Sequence, residues 1–463
     1  MEAGKTRKSP GPDSRWSWVV VGFLAWVMAT STLSSRAMGV FYIGIVEHFG
    51  VSREEASWPL SLHSTSFCMA GPVFGYLCEL WPCQRVLQGC LILSGTGLTL
   101  CYFAPNTGFL AIFFGVVHGG ALSGTFVVLL QLVCQYFKTW RTTACSITWS
   151  SQCLTAFVMS QTADYIRTAY GTPEMFLLIG ALSFNAFPAA FVLKSPPWTA
   201  RRTAQKTNAA DSIDARRKHL PECDALVLTD ATVNNDDRSM PRHLVLRTTH
   251  ARSWLGLSSE LKATLKVFFS VLYQIDAFSF SVQLLNVTVF FLVNVDLATD
   301  GGIDTSQAVY LAHVYSVGDF IVRLLSGLIV DRGYLSLATA MLLGFSGCAA
   351  GFEALVWSTS MASFVASSML LGAGGGFMAP LCGPILTSDF VGRSLPVLFG
   401  GLMFMNGLVL IAIPSLVGHF RDNIGTYDGL LHTIAALNGF LIIVWIVKAR
   451  VRIRSSTQLA VIP

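Results

Sequence analysis

HVYSVGDFIVRLLSGLIVDRG, residues 313 to 333, is long and apolar enough to cross a membrane, yet it contains two full charges, Asp319 and Arg323. Insertion scales assign about 2.5 to 3.5 kcal/mol to each such charge at a bilayer centre. The two residues are four positions apart, so they lie on one helix face and can form an ion pair. Because a buried pair is weak evidence for stability, the pattern favours a functional site over a purely structural lock.

The composition of the whole chain agrees with a membrane setting. Hydrophobic residues make up 53% of the 463 residues, charged residues 12%, and the mean hydropathy is +0.57. Ordinary soluble domains carry about 25% charged residues. The charges lie almost entirely outside the apolar runs, so the net charge of +5 does not indicate a nucleic-acid partner. Most cysteines lie within apolar runs and form no CxxC pair, which favours small buried side chains over disulfides or metal ligands.

Apolar runs of about 20 residues, the length that crosses a bilayer, recur on both sides of a polar interval. Six lie near 17–46, 57–79, 85–104, 108–134, 143–165 and 173–193, and six near 264–293, 306–330, 335–357, 360–388, 395–420 and 427–447. We therefore predict an all-α membrane protein with twelve transmembrane helices in two halves, 16–194 and 263–449. The charged, aromatic-poor interval 195–262 is predicted to be a disordered cytosolic linker. No secretory signal is recognised before the first run.

Basic residues predict the orientation, because lysine and arginine are retained on the cytoplasmic side. They cluster before segment one, between segments four and five, and after segment twelve. The loop near 294–305, on the opposite side, contains acidic but no basic residues. Both tails, 1–15 and 450–463, are therefore expected in the cytosol.

The two halves show a weak internal repeat. Gly75 and Glu79 at the end of segment two correspond to Gly327 and Asp331 at the end of segment eight. Two pseudo-symmetric six-helix halves joined by a long cytosolic loop resemble the major facilitator superfamily, in which the substrate binds between the halves near the midplane.

Arg36 is the second basic residue well inside a predicted span, and no acid lies one turn away. A guanidinium that lines a cavity binds carboxylates readily, because its planar fork offers bidentate donors. Arg36 and Arg323 are therefore candidates for two anion-attracting points at different depths. Asp276 in segment seven is the next candidate for the cavity, with a structural pairing to Arg36 as the alternative. His63 and His118 are more simply hydrogen-bonded core residues.

Two stretches and one spacing resemble the monocarboxylate transporter family. DSRWSW (13–18) keeps the family's aspartate and both tryptophans, Trp16 and Trp18, before segment one. YFKTWRTTACSITWSS (136–151) keeps Tyr136, Phe137 and Arg141 before segment five.

The third likeness is the most specific. Asp319, Arg323, Gly327 and Asp331 follow one another at the family's intervals of four, with Leu324 in place of its usual proline. We identify the chain as resembling a divergent member of that family.

The resemblance implies roles for these residues. Asp319 would handle a proton, Arg323 would bind the carboxylate, and the residues of the two stretches, with Gly327 and Asp331, would serve the conformational change. The family's proton-accepting lysine corresponds to Arg36, and arginine stays charged at physiological pH. A coupled proton would therefore be carried by Asp319, Asp276 or a histidine; otherwise the protein is a facilitator.

The expected function is thus a secondary carrier that moves an organic monocarboxylate by alternating access, in the plasma membrane. Its partners would be a small organic anion, membrane lipid and, by resemblance, a proton and a single-span accessory subunit. No nucleotide-binding, HExxH or GxSxG motif is present, so neither an enzyme nor a cofactor is expected. A non-transporting sensor or partner protein on the same scaffold, and a facilitator for amino acids or other organic solutes, stay open as alternatives.

Overall fold

A computed structural model of the chain describes residues 11–199 and 266–460. The predicted linker falls, apart from 195–199, outside the described residues, as do residues 1–10 and 461–463. The described residues form twelve successive helical segments, some of them interrupted.

In the first half these are α1 (15–49, as Arg15–Ser31, Leu33–Arg36 and Met38–Phe49), α2 (53–80, as Arg53–Met69 and Gly71–Leu80), α3 (Cys83–Phe103), α4 (Thr107–Tyr136), α5 (Arg141–Tyr170) and α6 (Thr172–Val192). In the second half they are α7 (Val271–Asp300), α8 (Tyr310–Asp331, preceded by the short turn Thr305–Ala308), α9 (Leu337–Val356), α10 (Met361–Asp389), α11 (Leu395–Ile424) and α12 (Asp428–Ala460).

Nine helices in the described ranges are long and apolar enough, each by itself, to cross a membrane. The other three segments are α1, α2 and α5. Helices α1 and α2 are divided into shorter pieces, and α5 is less apolar because it carries many Ser, Thr and Gln side chains.

Helix α1, predicted as one continuous span, is interrupted at Thr32 and Ala37. The interruption lies in the sequence TSTLSSR, where the hydroxyl of Thr32 donates to the carbonyl of Met28 at 2.8 Å. Ser and Thr hydroxyls that bond the preceding turn compete with the helix ladder and bend helices. Arg36 consequently lies on the short piece Leu33–Arg36, within the span rather than at its end.

The internal repeat is visible as two matching contacts between the halves. Glu79, at the end of α2, accepts a 2.5 Å hydrogen bond from the hydroxyl of Ser394 just before α11. Asp331, at the end of α8, accepts hydrogen bonds from the backbone N–H groups of Thr143 (2.6 Å) and Thr142 (3.3 Å) at the start of α5. A carboxylate is stabilised at a helix N-terminus by the free N–H groups and the helix dipole. The predicted pseudo-symmetric fold is confirmed.

We call the side of the bundle on which α1 begins the tail side, and the other the far side. Asp13, just before α1, accepts hydrogen bonds from backbone N–H groups of residues 138–140, between α4 and α5, which fixes that loop on the tail side. At this side the backbones of Gly71 and Gly400 meet directly, since a Cβ on Gly71 would lie 2.6 Å from the Gly400 carbonyl oxygen. The contacts of Glu79 and Asp331 lie here too, so the halves close together on the tail side.

Aromatic packing holds the first half together on the far side. Phe41 of α1 stacks on Phe176 of α6 at 4.5 Å between ring centroids, and Phe114 of α4 meets Phe41 edge-on at 5.3 Å. All three rings are buried. Such pairs add to the burial of apolar area and fix the relative positions of their helices.

Candidate functional site

The two charges inside segment eight form a buried ion pair on α8. The Arg323 guanidinium donates through Nη2 to Asp319 Oδ2 at 2.6 Å and to Oδ1 at 2.7 Å, and through Nε to Oδ1 at 3.1 Å. Each residue is only 6% exposed. The pair is charge-assisted and forked, the geometry in which arginine holds a carboxylate most firmly. Arg323 therefore already holds one carboxylate, and an external one would have to share or replace it.

Glycines of α10 support the backbone of α8 at this point. A Cβ on Gly376 would lie 2.7 Å from the carbonyl oxygen of Asp319 and 2.9 Å from the backbone nitrogen of Arg323. A Cβ on Gly372 would lie 3.0 Å from the backbone nitrogen of Asp319. Small residues at such positions let membrane helices approach backbone to backbone. The glycines of segment ten thus allow α10 to pack directly against the turn of α8 that carries the ion pair, and this packing fixes the position of that turn.

The ion pair lies at the boundary between the halves. The thiol of Cys153, on α5 of the first half, donates to Asp319 Oδ2 with a sulfur–oxygen distance of 3.4 Å. Tyr315, one turn before Asp319 on α8, is buried and stacks on Phe290 of α7 at 4.7 Å. The site therefore combines groups from α5, α7 and α8.

Arg36 belongs to the same site from the side of α1. It lies within electrostatic range of Cys153, Arg323, Asp319 and Tyr315. In residues 11–199 and 266–460 no acid lies within ion-pair distance of Arg36, and its buried Nε atom has no hydrogen-bond acceptor. The two guanidinium groups that the sequence suggested as separate anion-attracting points thus form one cluster with a single carboxylate.

Asp276 is not brought into this cluster. It lies in the second turn of α7, near the tail side, is fully buried, and forms an ion pair with Lys448 of α12. Lys448 also pairs with Asp389 of α10 at 2.8 Å, and Arg452 pairs with Asp389 at 3.0 Å. The sequence suggested that Asp276 lines the cavity or, alternatively, pairs with Arg36. The structure shows neither arrangement, because the Asp276 carboxylate forms its ion pair with Lys448.

Sequence reasoning missed the role of Lys448. It was predicted to lie just beyond segment twelve, whereas α12 continues past it to Ala460. Its ammonium group also sits 4.1 Å from the ring centroid of the buried Trp445. The sequence does contain a signal of this role, since a lysine follows a tryptophan by one turn at the tail-side end of the span.

The residues predicted to serve the conformational change meet on the tail side. Trp18 packs edge-on against Phe137 at 5.0 Å, so the two sequence stretches are in contact, and the Tyr136 hydroxyl donates to the carbonyl of Lys194 at 2.8 Å. Trp16 lies half-exposed on the first turn of α1.

Two further members of this group join the halves. Arg141 donates to the hydroxyl of Thr387 on α10 at 2.7 Å. A Cβ on Gly327 would lie 2.7 Å from the Cα of Thr143, so α8 and α5 approach each other closely beside Asp331. These residues therefore form part of the tail-side closure.

His63 and His118 of the first half are buried together. His118 donates from Nδ1 to the carbonyl of Ser94 at 2.9 Å and accepts at Nε2 from the Ser34 hydroxyl at 2.7 Å. His63 stacks on Phe114 at 4.9 Å, and its ring nitrogens have no partner among the described residues. Within the part of the chain that the structure describes, no group of three or more His, Cys, Asp or Glu side chains could hold a metal ion.

Comparisons with known proteins show which family the chain resembles. Residues 23–281 match the model of the Major Facilitator Superfamily. The chain is 21% identical to monocarboxylate transporter 12 of Xenopus laevis, covering 96% of this chain and 90% of the relative. It is 23% identical to monocarboxylate transporter 9 of Mus musculus (90% and 89% covered) and 22% identical to monocarboxylate transporter 7 of Homo sapiens (92% and 84%).

Among solved structures, the proton:xylose symporter XylE bound to 6-bromo-6-deoxy-D-glucose superposes with a TM-score of 0.65 at 14% identity, covering 94% of this chain and 95% of that one. This likeness concerns the fold. Together the comparisons confirm the resemblance to the monocarboxylate transporters and a multi-pass membrane protein. They support a secondary carrier rather than an enzyme, and they do not favour a non-transporting sensor.

Proposed function

Because this chain belongs to the Major Facilitator Superfamily, we propose that it carries an organic monocarboxylate across the plasma membrane, with Arg36 and Arg323 as the groups that bind the carboxylate. The names of its relatives support this substrate class.

The observation that carries the proposal is the unpaired guanidinium of Arg36. The one carboxylate nearby, that of Asp319, is paired with Arg323, and the Nε of Arg36 is buried with no acceptor among the described residues. Desolvated charge is costly unless it is paired. A carboxylate from the solute would supply the missing acceptor for Arg36 and pair with its charge, so the site suits an organic anion.

Asp319 is the switch in this proposal. Ionised, it competes with the solute for Arg323; protonated, it can no longer form the forked ion pair and releases the guanidinium to the solute. Proton and anion would then enter together and leave together, which is symport. Arg36 attracts the anion but cannot relay the proton.

The tail side corresponds to the cytosol in this proposal, because the basic residues that flank segments one, five and twelve lie there. The contacts of Glu79, Asp331 and Arg141 hold that side closed. The anion would enter from the far side and leave after the halves rock apart at the tail side. A single-span accessory subunit stays a prediction that rests on the resemblance alone.

The test is uptake of radiolabelled monocarboxylates into liposomes that contain the purified chain, at external pH 6 and 7.5. We expect saturable uptake that is faster at pH 6. In an Arg36→Gln variant KM should rise about tenfold, since a charge-assisted bond to the anion is lost. Asp319→Asn should transport at a rate that no longer depends on pH.

The matched control is Arg332→Gln, which removes a positive charge from an exposed position just past the end of α8. It should leave KM unchanged. Saturable binding of a monocarboxylate without any flux would contradict the carrier function. Uptake of uncharged solutes or amino acids, with the same kinetics in Arg36→Gln as in the wild type, would contradict the anion site.

A further inference from the structure

The thiol of Cys153 is a buried group in the candidate site that the proposed mechanism does not use. It lies on α5, so it belongs to the half opposite to the Asp319–Arg323 pair. A lone buried cysteine would most simply be packing, as most of the other described cysteines are. Cys153 differs from them because it donates its hydrogen to a functional carboxylate.

The hydrogen bonds of Asp319 are divided between the two halves. Oδ1 accepts from Nε and Nη2 of Arg323, and Oδ2 accepts from Nη2 and from the Cys153 thiol. An ionised carboxylate only accepts, so the thiol must be the donor. Cys153 is thus a link between α5 and the carboxylate that is proposed to switch.

The surroundings of Asp319 determine what this link does. The charged and titratable groups that face it are Arg36 of α1, Cys153 of α5, Tyr315 and Arg323 of α8 and Cys348 of α9, while α10 presents glycines. Among the groups on other helices, Cys153 is the one with a hydrogen bond to the carboxylate in the described chain. Its thiol therefore stabilises the ionised form from across the boundary between the halves.

We propose that Cys153 is a positioning residue, which holds Asp319 ionised and paired with Arg323 while the tail side is closed. When Asp319 takes up a proton, the carboxylic acid is a poorer acceptor, so the thiol bond weakens together with the ion pair. Protonation thereby loosens both the grip on Arg323 and a contact between the halves. This inference rests on the proposed function and adds the element that connects proton uptake to movement.

The first test is the pH profile of uptake in Cys153→Ala. Without the donor, protonation of Asp319 becomes easier, so the midpoint of acid stimulation should move to higher pH by about half a unit, the worth of one modest hydrogen bond. The maximal rate at low pH should stay unchanged. Cys153→Ser keeps a hydroxyl donor and should restore the wild-type midpoint.

The matched control is Cys101→Ala. Cys101 is an equally buried thiol of the first half, and it donates to the carbonyl of Gly97 at 3.2 Å. Its loss removes the same volume and the same type of donor without touching Asp319, so the midpoint should not move. A lower rate at every pH in Cys153→Ala, with an unmoved midpoint, would reduce Cys153 to packing and overturn the proposal.

A second test does not depend on transport. Alkylation of Cys153 by N-ethylmaleimide is followed by mass spectrometry in the wild type, in Asp319→Asn and in Asp164→Asn, an exposed acid on the same helix. Removing the carboxylate next to the thiol leaves two guanidinium groups that favour the reactive thiolate, so Asp319→Asn should react about tenfold faster. Asp164→Asn should react at the wild-type rate.

The two tests separate the two proposals. If the wild type shows no uptake, the proposed function fails, and the alkylation rates alone decide whether Cys153 is linked to Asp319. If uptake is present but alkylation is the same in Asp319→Asn and the wild type, the proposed function survives and the role of Cys153 is wrong.

Discussion

Two buried ion-pair clusters in the second half differ in how many helices they join. Asp319 and Arg323 lie on one helix, α8, at the boundary with the first half. Asp276, Lys448 and Asp389 lie on three different helices, α7, α12 and α10, and are buried within the second half. A pair on one helix can open and close while helix packing stays the same, whereas a cluster across three helices opens only if they separate. The first therefore suits a switch and the second a fixed tie.

The largest effect is expected for Arg323→Gln. Loss of the forked contact with the carboxylate should reduce uptake by about a hundredfold or more, corresponding to roughly 3 kcal/mol. Arg323→Gln by itself leaves Asp319 buried without its cation, which lowers stability, so thermal melting is measured in Arg323→Gln/Asp319→Asn, where both charges of the pair are gone. The melting temperature of this double variant should change little, because no helix–helix tie is removed. A large fall in the melting temperature of the double variant would show that the pair is a tie as well.

The opposite result is expected for Lys448→Met. Asp276 would be left buried without a cation and Asp389 with only Arg452, at a cost of about 3 to 5 kcal/mol. The melting temperature should fall strongly, and adding Asp276→Asn to the same chain should recover part of the loss. A Lys448→Met protein that melts normally but does not transport would place this cluster in the mechanism and remove the distinction.

An intermediate effect is expected for Gly376→Ala, which tests whether α10 fixes the switch. The added methyl group would press on the backbone of Asp319 and Arg323 at 2.7 and 2.9 Å, so α8 must shift and KM should rise about tenfold. Gly439→Ala on α12, where a Cβ would meet no atom within 4 Å, is the matched control and should behave as the wild type. Equal KM values in the two variants would show that the switch tolerates movement of α8.

The smallest effect is expected at the tail side. Asp331→Asn weakens an interaction with the N-terminus of α5 that is worth about 0.3 to 1 kcal/mol, so the closed state should open more readily. Substrate exchange across the membrane should speed up by about two- to fivefold. Glu79→Gln, at the matching position of the first half, should give a change of the same sign, and opposite signs would contradict the pseudo-symmetry of the closure.

The parts of the fold and site that could be predicted depend on local spacing. Twelve apolar runs and the four-residue interval between Asp319 and Arg323 are properties of neighbouring residues, and both appear in the structure. The partner of Asp276 could not be predicted, because Lys448 is 172 positions away and the pairing exists only once α7 and α12 pack. The same holds for Cys153, whose bond to Asp319 spans 166 positions.

The interruption of α1 was missed for a different reason. The run TSTLSSR is apolar enough, when averaged with its neighbours, to read as part of one continuous span. Its hydroxyl groups bend the helix through bonds to the preceding turn, an effect that hydropathy does not measure. A cluster of Ser and Thr just before an intramembrane arginine is the signal that would have indicated it.

The direct meeting of Gly71 and Gly400 has a consequence for leakage. The two backbones are in contact, so at this point there is no room for a water molecule between α2 and α11, and a hydrated ion, which is larger, does not pass between these two helices here. Neither glycine has a side chain that must reorient, so water can solvate their peptide groups as soon as the two helices part. Close backbone contact at this seam therefore limits the leak of small ions between α2 and α11 while the tail side is closed.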